Sequence, residues 1–577
     1  MKRCLQWIAI VLILCIALTV TACRDSSETV TGNVTPGAAG SDATVIEPAK
    51  EDEMFTERDT ETSYEEDDVV FIALRDGATE AEDERVTVVG DAVTLTGAGT
   101  YLLSGTLTNG QLVINAGDAD KLHLILQDVV INSTGSAAIY VQNAAKVFLT
   151  LPDGSVNSLG SNGAYASGET TNIDAALYAK KDVTINGSGK LTITSECGHG
   201  IAVKADLVMM DGDFTVTGAK HAVSAKNSIR IKSGTYVLTA GTDALHAENA
   251  DDTSRGFIYI ANGSLSIRAA SDGMDAASTL QIIDGRAEIN ADGKGIKATG
   301  DLLIAGGTLT VSSADDSVHT NSNCSITGGT LTLSTSDDGV HADANLSVSG
   351  GEIKILKSYE GLEGTSVDII GGVIDITASD DGINAAGGKD ASGVQPGFPG
   401  GRQDTFTVDS NCYIQISGGK TTVNASGDGL DSNGSITVTG GTTFVSGSTS
   451  SADAALDYDG TGTITGGIIL LCGSSGMAQN FGTASTQGSI LVNYTGSSTA
   501  PVTLADNDGN TIVTYTPPKT YHSVVVSAPA LAKGNTYSLT ACGQTQSITL
   551  SSLIYGSGGM GGGGGAPQPG GRPGGRP

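Results

Sequence analysis

Residues 307–328 read GTLTVSSADDSVHTNSNCSITG and residues 329–350 read GTLTLSTSDDGVHADANLSVSG, one 22-residue unit written twice. Each copy opens with an alternating strand, Thr308-Leu309-Thr310-Val311 in the first and Thr330-Leu331-Thr332-Leu333 in the second. An acidic turn follows (Asp315-Asp316; Asp337-Asp338), then a short segment carrying His319 or His341, then a second alternating strand closed by glycines. A fixed period of this length is the mark of a solenoid.

The unit extends in both directions. The glycines that close one strand recur at Gly189, Gly212, Gly234, Gly263, Gly285, Gly307, Gly329, Gly351, Gly372, Gly419, Gly441 and Gly467. Most steps are 21 to 23 residues; the longest, 47, holds an extra segment rich in Gly and Pro at 387–404. A coil of about 22 residues with short strands fits an all-β, right-handed parallel β-helix, the hand taken from crossover connections generally. Alternation places Leu331, Leu333, Val340, Ala342, Leu346 and Val348 inside and turns His341 outward.

Composition agrees. The chain has 577 residues, 80 of them Gly, and few aromatics, as expected for β structure that turns constantly. The net charge of -32 disfavours nucleic acid and bare anionic lipid and suits divalent cations. Residues 1–22 read as a secretory leader, with Lys2-Arg3 before an apolar run. The run ends Val20-Thr21-Ala22-Cys23, which resembles a lipobox in which Cys23 carries the lipid. The expected address is the extracellular face of a bacterial membrane, reached only through that lipid, with the protein a monomer.

Residues 23–85 are polar and then strongly acidic, and predict a disordered linker. Residues 86–473 are assigned to the β-helix and 474–555 to a small C-terminal β region with a tight turn at Asp508-Gly509. Residues 556–577 form a Gly/Pro-rich flexible tail. Cys197, Cys324, Cys412, Cys472 and Cys542 include no CxxC pair and read as free thiols.

Stacking makes equivalent positions into ladders. The acidic-turn column runs His199, His221, Asp243, Asp272, Lys294, Asp316, Asp338, Glu360, Asp381, Asp428. A second column, three residues on, includes His246, Asp275, Lys297, His319, His341, Glu363, Asn384 and Asp431. A third holds Asp315, Asp337, Tyr359 and Asp380. Two stacked carboxylates about 5 Å apart repel by roughly 3 kcal/mol at an effective dielectric near 20. Lys294 and Lys297 neutralise Asp272 and Asp275. From 315 to 381 the columns hold no Lys or Arg, so a bound cation is expected there.

Calcium is favoured, because an ion midway between strands about 4.8 Å apart lies about 2.4 Å from oxygens on each. The expected ligands are Asp315, Asp316, Asp337, Asp338, Glu360, Glu363, Asp380, Asp381, Asp428 and Asp431. His319, His341, Tyr359 and Asn384 are placed beside them as ligand-binding groups, and the histidines keep a transition metal open. The plain alternative is that Asp-Asp-Gly is turn chemistry.

The segment Gly97-Ala98-Gly99-Thr100-Tyr101-Leu102-Leu103-Ser104-Gly105, with Gly110-Gln111-Leu112-Val113-Ile114 and the Ser-Asp-Asp-Gly turns at 336–342 and 379–385, resembles the clostridial carbohydrate-binding domain family. That resemblance spans about Val86 to Gly473. It implies a polysaccharide-lyase-like, calcium-binding right-handed β-helix associated with cellulose and polygalacturonate. It carries over no catalytic residue. The only Trp is Trp7, in the leader, and flat cellulose is gripped by aromatic area. An acidic polysaccharide such as pectin is therefore the better expected partner. Two other readings stay open: a calcium-dependent lyase with Lys294 or Lys297 as base, and an adhesive stalk.

Overall fold

The computed structural model describes residues 29–30, 44–163, 165, 173–386 and 408–556. The leader, Cys23, the insertion at 387–404 and the tail from 557 lie outside these residues.

The chain is all-β, built on one large and mostly parallel sheet. Over most of the repeats a strand pairs with the strand three places further on, and where two strands merge into one, as in Val340–Val348, with the strand two places on, so three parallel ladders interleave. Each pass through the three ladders is one rung. In the opening stretch Thr308–Ser313 pairs with Thr330–Ser334, with Leu309 beside Leu331 and Val311 beside Leu333. Val318–Thr320 pairs with the start of Val340–Val348, and His319 lies beside His341. Cys324–Ile326 pairs with the end of the same strand, in the column Leu302, Cys324, Leu346.

The core lies between the ladders. Leu331, Leu333, Val340, Ala342, Leu346 and Val348 are all fully buried in one continuous cluster. Burying one face of every strand fixes register, because a one-residue slip would turn the whole set outward. The glycine column reverses the chain between ladders. Gly307 and Gly329 have φ of 87° and 89°, and a Cβ on Gly307 would meet the Gly285 carbonyl oxygen at 2.7 Å. Left-handed backbone under a close-packed neighbour admits only glycine. At the start of the series the left-handed residue is Gly187 rather than Gly189.

The linker expectation is corrected from residue 44 onward. Strand Val69–Arg75 pairs in parallel with Gly99–Leu107, so the large sheet begins before Val86. Residues 44–61 lie across the outside of the third ladder. Ile46 N donates to Ser325 Oγ and Ala49 N to Gln281 Oε1, and Phe55 packs with Val208, Met210 and Tyr259. Asp59 is buried, 2.6 Å from Lys146 Nζ, and accepts from the Thr184 hydroxyl. Burial alone would raise its carboxyl, but Lys146, Thr184 and Thr56 hold it down at about 2. A segment acidic on average is anchored by one apolar ring and one buried ion pair.

Beyond the repeats, Tyr521–Ser527 pairs antiparallel with Ile468–Gly473 and with Ser489–Ser498. A separate sheet contains Val502–Ala505, Thr511–Tyr515, Thr536–Ala541 and Gln544–Thr549. It shares a second apolar cluster with Phe444, Leu470 and Cys472. Gly509 is left-handed, at the turn expected there. The five cysteines named above are free.

Candidate functional site

The columns stack in the register read from the repeats. His246, Asp275, Lys297, His319, His341, Glu363, Asn384 and Asp431 are successive partners across the second ladder. The acids of the turn column sit outside the apolar core, yet from Asp243 to Glu360 they are buried, while Asp381 and Asp428 are half-buried. Asp316, Asp338, Glu360 and Glu363 are buried, as are His319 and His341. The expectation that His341 points into solvent is corrected. A bulge between Ala342 and Asn345 brings Asp343 Oδ1 within 3.1 Å of His341 Nε2.

Each turn acid has two jobs, one per oxygen. Asp243 Oδ1 accepts the backbone N–H of Asp272, and Asp272 Oδ1 that of Lys294. Asp316 Oδ1 accepts from Asp338 N at 3.0 Å, and Asp338 Oδ1 from Glu360 N at 3.1 Å. Asp381 Oδ1 accepts from Asp428 N at 2.6 Å, and Asp428 Oδ1 from Ala454 N. One oxygen therefore satisfies a turn amide of the following rung, a donor that would be costly to bury alone. The other oxygen is left for a charge partner.

From Asp243 to Glu363 that partner is mostly a cation of the chain. Asp243 Oδ2 lies 3.2 Å from His221 Nδ1 and 3.3 Å from His246 Nδ1. Asp272 Oδ2 lies 3.2 Å from Lys297 Nζ. Lys294 reaches forward along the axis, to Asp315 Oδ1 at 2.8 Å and Asp316 Oδ2 at 2.6 Å. The expectation that 315–316 lacks a basic partner is therefore corrected. A lysine stem is long enough to serve the neighbouring rung. His319 Nδ1 adds a contact to Asp316 Oδ2 at 2.8 Å. Burial would raise Asp316, but His319 and Lys294 keep it at about 2. His341 Nδ1 lies 2.5 Å from Glu363 Oε2 and 3.3 Å from Asp338 Oδ2. Against the effect of burial, these carboxylates raise His341 to about 11.

Further on, the balance changes. Burial pushes Glu360 well above the carboxylate range, and repulsion from Glu363, Asp338 and Asp381 adds to it. Asn384 Nδ2 donates to Glu360 Oε2 at 2.6 Å, while Asn384 Oδ1 is buried with no hydrogen-bond donor among the described residues. Asp381, Asp428 and Asp431 bring oxygens within 4.8 Å of one another. Burial and the neighbouring carboxylates raise Asp381 well above its usual value and Asp428 to about 9. Asp380 stands beside Tyr359 and raises its phenol. Among the expected acids, Asp315 and Asp316 meet Lys294, Asp338 and Glu363 meet His341, and Asp381, Asp428 and Asp431 crowd one another.

The columns also hold a histidine ladder, His199, His221 and His246, which spacing alone does not mark as a site. Its rings stack at 4.8 and 4.3 Å, the second pair within 4° of parallel. Parallel imidazoles displaced along their normal cannot both aim an in-plane nitrogen at one ion. The arrangement fits ion pairing of His221 and His246 with Asp243 better than metal ligation. The lysine-base alternative is weakened too. Burial opposes it, but Asp316 and Asp315 raise Lys294, and Asp275 and Asp272 raise Lys297. A general base needs the opposite shift.

Comparison with known proteins gives a direction. A protein of Acetivibrio thermocellus, described as a carbohydrate-binding domain-containing protein, is 32% identical over 126 residues. That match covers 22% of this chain and spans 44% of the relative's length. A solved structure, described as the polysaccharide lyase-like protein from C. thermocellum in a gadolinium derivative, is 30% identical. The alignment covers 41% of this chain and 96% of that one, with a TM-score of 0.40. The profile of the family described as carbohydrate-binding domain-containing protein matches residues 89–339. Those residues hold the histidine ladder and the lysine-balanced acids, and they end before Glu360, Asp381 and Asp428.

Proposed function

We propose that this protein is a non-catalytic, calcium-dependent carbohydrate-binding protein of the bacterial cell surface, held by lipid on Cys23. Its repeats wind as a right-handed parallel β-helix, and its partner is an acidic polysaccharide of the polygalacturonate type. The family match over residues 89–339 carries the carbohydrate part of this reading. The leader and the Val20-Thr21-Ala22-Cys23 sequence support the anchor.

Calcium belongs on the later rungs. The buried, donorless Asn384 Oδ1 supports this most directly, because a cation gives such an oxygen a partner. Asn384 is in register with Asp431, which converges with Asp381 and Asp428. An oxygen-only set of carboxylates and an amide suits calcium rather than zinc. Bound calcium would neutralise the crowded acids and fix the rungs that follow.

The test is a pulldown of the full chain on polygalacturonate and on cellulose, with calcium or with EDTA, while absorbance follows unsaturated sugar product. Binding to polygalacturonate with calcium, loss of binding in EDTA and no product are expected. Product formation would establish a lyase. Failure to bind either polymer in calcium would favour the stalk, the reading that the acid-to-amide bonds also support.

A further inference from the structure

The exposed face of the first ladder is mostly hydroxylated. Successive strands present Thr235, Val237 and Thr239, then Ser264, Ser266 and Arg268, then Arg286, Glu288 and Asn290, then Thr308, Thr310 and Ser312. At one edge of this face lies a groove of about 280 Å³ lined by Thr239, Arg268, Asn290, Asp292 and Ser312, together with alanines of the same strands. That is near the small end of ligand-site volumes, roughly 300 Å³, so it accepts one sugar ring rather than a folded ligand.

Two arginines of this face, Arg268 and Arg286, are without a side-chain partner among the described residues, and Arg268 is the one that lines the groove. The protein carries a net charge of -32, and Lys294, Lys297, Arg230 and Lys146 are all taken up in ion pairs. Arg268 has neither a hydrogen bond nor an ion pair from its side chain among the described residues. Beside it in the ladder stand Thr239 on one side and Asn290 on the other. A planar guanidinium with its donors free is made for a carboxylate held by two hydrogen bonds. The amide of Asn290 and the hydroxyls of Thr239 and Ser312 supply the mixed donors and acceptors that sugar hydroxyls require. Asp292, also in the lining, offers its carboxylate as an acceptor for sugar hydroxyls.

We propose that this groove is a uronate subsite, in which Arg268 binds the carboxylate of one sugar residue while Asn290, Ser312 and Asp292 engage its hydroxyls. The proposal rests on the carbohydrate-binding reading and names the chemistry it selects. The groove falls inside the span matched by the family profile and apart from the later acids. It explains how so acidic a protein holds an acidic polymer: a bare arginine receives the charge directly.

The test uses the full chain in calcium, with polygalacturonate and its fully methyl-esterified form as probes in calorimetric titration. Arg268→Ala, Arg268→Lys and Arg75→Ala are compared with wild type; Arg75 is exposed and lies outside the matched span. Arg268→Ala should weaken polygalacturonate binding about 10-fold or more, the scale of a lost charge-assisted hydrogen bond. Arg268→Lys should recover part of the loss, Arg75→Ala should bind as wild type, and esterification should lower wild-type affinity to the level of Arg268→Ala. Equal binding by Arg268→Ala and wild type would overturn the subsite. So would equal losses in the Arg268 and Arg75 variants, which would reflect overall charge alone. If wild type binds neither form, the carbohydrate-binding reading itself fails, and that outcome is visible without any variant.

Discussion

Lys294 Nζ lies 2.6 Å from Asp316 Oδ2, one rung further along the axis, so a lysine of one rung neutralises an acid of the next. Lys294→Met should leave Asp315 and Asp316 without their lysine. Removing one partner of a buried pair costs about 3–5 kcal/mol, measured by denaturant unfolding in EDTA. Asp316 is held down at about 2, so its contribution is present above the unfolded carboxylate range and fades as pH falls toward that value. Lys294→Met should flatten this acid limb; an unchanged limb would count against the pairing.

Asp381 and Asp428 have the opposite linkage. Their carboxyls are raised, Asp428 to about 9, so the folded state holds protons that the unfolded chain releases. Stability from this source is complete below the unfolded pKa of about 3.9 and is lost as pH rises through about 9. In EDTA the midpoint of thermal melting should fall between pH 5 and pH 9, to be scanned in about one-unit steps, and calcium should abolish the fall. Parallel curves with and without calcium would remove the metal from these rungs. Asp428→Asn should also remove most of the calcium-dependent increment.

His341 is raised to about 11 by carboxylates on both sides. Its stabilisation is fully present below the ordinary histidine pKa and declines as pH rises toward 11. His341→Gln should cost about 3–5 kcal/mol near neutrality and flatten the alkaline decline. Denaturant unfolding across the alkaline range reads both effects, and a variant as stable as wild type would show the imidazole is not charged in the fold.

Asp59 pins residues 44–61 through Lys146 and Thr184. Asp59→Ala should release that segment and leave the repeats intact. Hydrogen exchange should rise across 44–61 while the main thermal transition moves little. Loss of the whole fold would mean that the segment is part of the core.

Much of this was legible in the sequence, because repetition states the same constraint many times. Leu331, Leu333, Leu346 and Val348 follow from alternation, and the partnership of His319 with His341 follows from equal spacing. Three things were not legible. Nothing in a column tells whether Lys294 reaches back to Asp272 or forward to Asp316, since both lie one strand spacing away. The amide bonds of the turn acids depend on backbone orientation, which spacing leaves open. Residues 44–61 were hidden by averaging: Phe55 and Asp59 are two positions in an acidic stretch, and their partners Tyr259 and Lys146 lie far along the chain.

The acid-to-amide bonds all point one way. Asp243, Asp272, Asp316, Asp338, Asp381 and Asp428 each hold a backbone donor of the rung that follows, never of the rung before. The column is therefore vectorial, like a staircase in which each step is hung from the one below it. Damage should inherit that sense: losing one acid frays the chain toward its C-terminus and spares what lies behind. During synthesis, when the N-terminal rungs emerge first, each of these six turns leaves an acceptor in place for the amide that follows.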